Sequence, residues 1–87
     1  MKIKEGFILR EIAGSFIVVA VGDAVKTFNG VINLNQTGAL LWKALENGGD
    51  KEALVKVLLD NYEVDEAIAN NDVDAFIAKL KGANLLI

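Results

Sequence analysis

The first third of the chain has a strand-like pattern of apolar residues, in which every second side chain falls on one face. Residues 7–13 alternate in this way, residues 16–21 are apolar on both faces, and residues 31–34 form a third, shorter run. These runs predict three strands, and the Gly14-Ser15 turn signal predicts an antiparallel hairpin between the first two. We expect the second strand to be central and covered on both faces, and the third to be an edge.

The rest of the chain repeats its apolar residues every three or four positions, which is the spacing of amphipathic helices. This periodicity predicts helices over about 36–46, 51–61 and 66–81. Asn35, Asp50 and Asp65 precede them, and short polar side chains at such positions cap the free N–H groups of the first turn.

Several glycines indicate where the backbone turns or packs closely. The Asn29-Gly30 pair predicts a sharp reversal before the third strand. Gly38, inside the first helix, costs helix propensity and predicts the close approach of another backbone. Gly82 is expected to end the third helix, and the apolar tail 83–87 is expected to cover the sheet or the core.

The order of elements, three strands and then three helices, predicts one α+β domain over residues 1–87. The last two helices are joined by a short turn, which is helix-turn-helix spacing beside a sheet. We therefore expect a winged-helix-like architecture, with a three-stranded antiparallel sheet followed by a three-helix bundle.

Composition narrows the class of protein. The chain is 53% hydrophobic, which indicates either a dense core or apolar surface left for a partner. There is no Cys and no signal-peptide pattern, so we expect a cytoplasmic protein. The longest apolar run, residues 16–21, is far shorter than the ~20 residues that span a bilayer, so we expect no membrane partner.

The side chains needed for catalysis are missing. The chain has no His and no Cys, and Ser15 is its only serine, in a turn without a base. The acidic cluster at 60–66 has Tyr62 and Val64 where a calcium loop needs oxygen ligands. We interpret it as helix ends and a solvated turn, and expect no enzyme activity, no metal and no cofactor.

A helix-turn-helix pair raises the alternative of DNA binding. The third helix would enter the major groove, but from Asp65 to Lys81 it carries four acidic residues against two basic ones, and no Arg. Phosphates would repel such a helix, and the net charge of the chain is −3. We therefore expect no nucleic-acid partner.

Recognition of a peptide or protein remains. The third strand, as an edge, has one row of unpaired backbone groups to which an extended peptide can add, with the third helix as the wall of a groove. The alternatives are an edge that pairs with nothing, and an edge that pairs with a second copy to form a homodimer.

Particular motifs resemble the PqqD family. The strand-to-helix signature is carried by residues 30–38, which read GVINLNQTG, and residues 41–45, which read LWKAL. Residues 62–65 (YEVD), 72–76 (DVDAF) and the opening 4–12 (KEGFILREI) are also similar to it. The resemblance covers nearly the whole chain, and its most specific part is Leu-Asn-x-Thr-Gly followed by Trp42.

The resemblance implies a recognition element for ribosomally made, post-translationally modified peptides. Such a domain acts as a peptide chaperone, which holds the leader of a precursor peptide and presents it to a modifying enzyme, often a radical SAM protein. In the family the leader adds beside the third strand and lies against the third helix. Carried onto this chain, the peptide-binding positions are Val31, Ile32, Asn33, Leu34, Asp72, Ile77, Lys79 and Lys81.

Overall fold

The computed structural model describes residues 1–28 and 30–87 as three strands followed by three α-helices. The strands are β1 (Phe7–Ile12), β2 (Ser15–Ala20) and β3 (Ile32–Leu34). The helices are α1 (Gln36–Leu45), α2 (Lys51–Asn61) and α3 (Glu66–Gly82). The predicted α+β class is confirmed, and the element bounds lie within one residue of those predicted. Asn29, half of the predicted Asn-Gly reversal, lies outside the described residues.

The sheet is an antiparallel meander in the order β1-β2-β3, so β3 is an edge strand. Ile12 pairs with Ser15 across a two-residue turn made by Ala13 and Gly14, which have φ angles of 51° and 81°. Positive φ at both central residues is the geometry of a type I′ hairpin turn. The turn therefore lies one residue earlier than the predicted Gly14-Ser15 turn.

Only one face of the sheet is covered by the helices, and the prediction that β2 is covered on both faces was wrong. Val18 is fully buried and packs with Ile32 and Leu34 against the helices. On the opposite face Ile17 and Val19 of β2 are only half-buried, and Ile8 and Ile12 of β1 are 36% and 55% exposed. The apolar residues on both faces of β2 therefore did not predict how its two faces are covered.

The three helices begin at the predicted caps. Oδ1 of Asn35 accepts a hydrogen bond from the Gly38 N–H at 2.7 Å, and Asp50 and Asp65 make the equivalent bonds at 2.8 Å. Each bond satisfies one of the free donors of a first helical turn. The carboxylate of Asp65, at the predicted acidic turn, thus acts as a helix cap.

The core lies between the helices and the inner face of the sheet. Its largest side chain is Trp42, which is 1% exposed, and all three α-helices contribute residues to it. The largest fully buried side chains are Trp42, Leu41, Leu45, Leu54, Leu58, Leu80, Leu85, Val18 and Val73.

A short 3-10 helix, Gly22–Lys26, follows β2. It packs against Gly6, whose carbonyl accepts a hydrogen bond from the Val21 N–H at 2.7 Å. Gly6 has a φ of 94°, and a Cβ there would lie 2.7 Å from that of Ala24. Only glycine fits this contact without displacing the 3-10 helix.

The C-terminal tail closes the molecule by pairing with its N-terminal segment. Asn84, with φ of 60°, reverses the chain after α3, and the Leu85 N–H donates to the Leu80 carbonyl at 2.9 Å. This is the bond pattern of a Schellman motif, in which α3 ends at Gly82, as predicted, and Asn84 makes the reversal. Leu85 is fully buried, and Leu86 forms an antiparallel bridge with Ile3.

Candidate functional site

The open edge of the sheet exposes one backbone position of β3. Phe16 and Val18 of β2 pair with Leu34 and Ile32, whereas Asn33 lies opposite Ile17. In an antiparallel ladder the residues of a strand direct their N–H and C=O groups alternately to one neighbour and to the other side. Asn33 is therefore the residue of β3 whose backbone groups face away from β2.

A contact from α3 confirms this orientation. The Asn33 carbonyl accepts a hydrogen bond of 2.6 Å from Nζ of Lys79, which lies 46 positions later in the chain. This contact links the edge strand to α3, and a groove lies between the two elements.

The β3–α3 groove is lined by β3, the start of α1 and one flank of α3. Its volume is about 330 Å³, at the small end of the usual range for ligand pockets. It is lined by Leu34, Asn35, Thr37, Gly38, Leu41, Asp72, Ala75, Phe76 and Lys79.

The junction of β3 with α1 forms one wall of this groove. Gly38 lies over Leu34, and a Cβ on Gly38 would be 3.4 Å from Leu34 and 3.2 Å from Oδ1 of Asn35. The predicted close approach at Gly38 therefore exists, but side chains and not another backbone make it. A larger residue would press on both the helix cap and the groove wall.

The opposite wall is a stripe of α3 at positions 72, 75, 76 and 79, which share one flank of a helix because of their spacing. Phe76 is 5% exposed and joins the groove to the core. Asp72 and Lys79 are the charged residues of the lining. They lie two helical turns apart, about 10.5 Å along the axis, so the wall carries one charge of each sign at separate places.

The structure places Leu34, Asp72 and Lys79 in the groove lining, and the Lys79 side chain contacts the Asn33 carbonyl. Val31 is 53% exposed just before β3, beside this edge but outside the groove lining. The side chain of Ile32 is 9% exposed and belongs to the core.

Two further predicted positions lie elsewhere on α3. Ile77 and Lys81 are on the opposite flank of the buried stripe, together with Asp74. Asp74 forms an ion pair of 2.8 Å with Lys51 of α2, which shows that this flank faces α2 and not β3.

Sequence reasoning missed six groove residues, which are Asn35, Thr37, Gly38, Leu41, Ala75 and Phe76. The i, i+3, i+4, i+7 spacing of residues 72, 75, 76 and 79 was the available signal on α3, because it groups Ala75 and Phe76 with the two charged positions.

Over residues 1–28 and 30–87 no group of acidic residues is arranged to hold a metal ion. No helix in the same part of the chain is long and apolar enough to cross a membrane.

Comparisons with known proteins agree with this architecture. Residues 17–86 match the model of a family described as Coenzyme PQQ synthesis protein D (PqqD). No curated protein matches the sequence.

Two solved structures have the same fold. One is TbiB1 in complex with the TbiA(beta) leader peptide, with a TM-score of 0.77 and 23% identity over 99% of this chain and 94% of that chain. The other is lasso peptide synthetase B1 complexed with the leader peptide, with a TM-score of 0.75 and 20% identity over 99% of this chain and 95% of that chain.

Proposed function

Because the chain belongs to the PqqD family, we propose that it is a non-catalytic protein that binds the leader of a ribosomally made precursor peptide. Both solved structures of this fold described above contain a leader peptide. The observation that carries the proposal for this chain is the outward-facing backbone of Asn33 beside the β3–α3 groove.

The peptide binds by strand addition. An extended segment placed along β3 takes up the N–H and C=O of Asn33 and continues the sheet by one strand. Main-chain hydrogen bonds of this kind give affinity for many sequences, because every residue except proline offers the same backbone groups.

Side chains in the groove supply the selectivity. Alternate side chains of an extended peptide point the same way, so one set faces α3 and the other faces solvent. The set that faces α3 meets the small accessible parts of Leu34 and Phe76, with Asp72 and Lys79 as charged positions.

The bound leader is then presented to a peptide-modifying enzyme, for which we propose the radical SAM class first, because the resemblance implies that such domains often serve radical SAM proteins. This work takes place in the cytoplasm, where precursor peptides are synthesised. The chain itself contributes binding and orientation, while the partner enzyme supplies the chemistry.

A titration followed by NMR tests the proposal. Synthetic peptides encoded by short reading frames beside the gene are added to ¹⁵N-labelled protein, with scrambled peptides as controls. We expect the largest shifts at residues 31–34 and at residues 72, 75, 76 and 79. Shifts confined to the acidic turn at 60–66 would show that the groove is not the peptide site.

A further inference from the structure

Lys79 already occupies the backbone acceptor that a guest strand needs. Its Nζ lies 2.6 Å from the Asn33 carbonyl, the outward-facing acceptor of β3. An added strand has to bring one of its own amides to this oxygen. Strand addition therefore makes the ammonium group of Lys79 share this oxygen, which has two lone pairs, or leave it.

Either outcome weakens the hydrogen bond that Lys79 makes here, and because the contact is exposed, water takes its place unless the guest supplies an acceptor. A carboxylate is the stronger replacement, since a hydrogen bond between a charged donor and a charged acceptor exceeds one between neutral groups. No acidic group forms an ion pair with Lys79 within the described part of the chain. The acidic residue of the groove, Asp72, is two helical turns away.

A guest that carries a carboxylate removes this deficit. An Asp or Glu side chain on the face of the guest strand toward α3 takes the Lys79 ammonium while the guest amide takes the Asn33 carbonyl. The Lys79 ammonium then donates to the guest carboxylate, and the guest amide donates to the Asn33 carbonyl.

The β3 edge of a second copy of the chain does not supply such a carboxylate. Residues 30–36, which contain β3 and its flanks, include no Asp or Glu. Pairing two copies through β3 would displace two lysines near one another without supplying a carboxylate to either. Lysine at an exposed edge is a known means by which proteins prevent sheet-to-sheet association.

We propose that Lys79 of α3 is a specificity residue for peptides that pair with β3. It favours guest strands that place a carboxylate beside its ammonium group, and it disfavours the pairing of β3 with the β3 of a second copy. This inference rests on the proposed function, since it concerns which peptides the same edge accepts.

Selection from a phage-displayed library of random peptides tests the proposal, with the wild-type protein and three variants as baits. The wild type and Lys56→Met, a matched control on α2, should enrich peptides with Asp or Glu at a recurring position. Lys79→Met should lose this preference, and Lys79→Glu should favour Lys or Arg at that position. The same acidic preference in all four selections would overturn the assignment of Lys79.

A double-mutant cycle on one selected peptide measures the pair directly. Changing the recurring acidic residue of the peptide to its amide should weaken binding to the wild type about threefold to tenfold. The same change should have little effect with Lys79→Met, because the interaction is already absent. Equal losses for both proteins would overturn the proposed pair.

A third variant distinguishes failure of strand addition from failure of the role of Lys79. Asn33→Pro, verified as folded by circular dichroism, should abolish binding of the selected peptides if they add to β3. Unchanged binding would reject strand addition itself, and the role of Lys79 with it. Lost binding to Asn33→Pro without any acidic preference would reject the role of Lys79 alone.

Discussion

At the scale of single residues, Ala13 holds an unfavourable backbone conformation at the tip of the β1–β2 hairpin. Its φ of 51° lies in the left-handed region, where a Cβ approaches the following carbonyl oxygen. The cost for an L-residue is roughly 1–2 kcal/mol. Neighbouring Gly14, with φ of 81°, adopts its conformation without this cost.

Ala13→Asn should therefore stabilise the protein by about 0.5–1 kcal/mol, because Asn tolerates this conformation and is preferred in type I′ turns. Chemical denaturation monitored by circular dichroism measures the effect. Ala13→Val, with a branched Cβ, should shift the midpoint in the opposite direction. Identical midpoints for the two variants would mean that the turn does not hold this geometry in solution.

Some single positions could be predicted from the sequence and others could not. The caps at Asn35, Asp50 and Asp65 were predictable, because a short polar side chain before a periodic segment acts locally. The role of Ala13 was not, since alanine gives no signal for positive φ. The neighbouring Gly14 therefore shifted the predicted turn by one residue.

At the scale of elements, β3 carries two kinds of backbone position. Ile32 and Leu34 direct their backbone groups to β2, whereas Asn33 directs its own to the open edge. The same substitution at adjacent residues should therefore have different consequences.

Ile32→Pro should destabilise the fold by about 1–3 kcal/mol, because it removes a ladder donor and leaves an acceptor of β2 unpaired. Asn33→Pro should retain most of the stability and lose peptide binding, since its missing N–H faces the edge. Thermal unfolding and a peptide-binding titration on both variants separate the two effects. Equal destabilisation would contradict the orientation assigned to Asn33.

The flank of α3 that forms the groove could not be predicted from the helix alone. Both flanks of its buried stripe combine charged and apolar residues, so Lys79 and Lys81 looked equivalent in the sequence. The choice is made by tertiary packing, in which α2 covers the side with Asp74 and leaves the side with Asp72 for β3.

At the scale of the whole molecule, the three helices and one face of a small sheet enclose a single core. The order of elements predicted the α+β class because the alternation of period two stops before residue 35 and helical periodicity follows. The partial exposure of the outer face could not be predicted in this way. Valine and isoleucine suit a strand whether its second face is covered or exposed, so β2 gave no indication of which.

The pairing of the first and last segments determines how the molecule responds to force. The Ile87 N–H donates to the Lys2 carbonyl and the Lys4 N–H donates to the Leu85 carbonyl, both at 2.8 Å. These segments are antiparallel, so residues 1 and 87 emerge at the same end of the pair. Tension applied between them opens these bonds one after another, instead of loading them together.

Single-molecule pulling from residues 1 and 87 should therefore show a small, low-force extension before the main unfolding event. It corresponds to release of the tail and withdrawal of Leu85 from the core. A disulfide between Ile3→Cys and Leu86→Cys, which face each other in the bridge, should remove this first step. A single rupture in both the cross-linked and the unmodified chain would show that the tail and the sheet unfold as one mechanical unit.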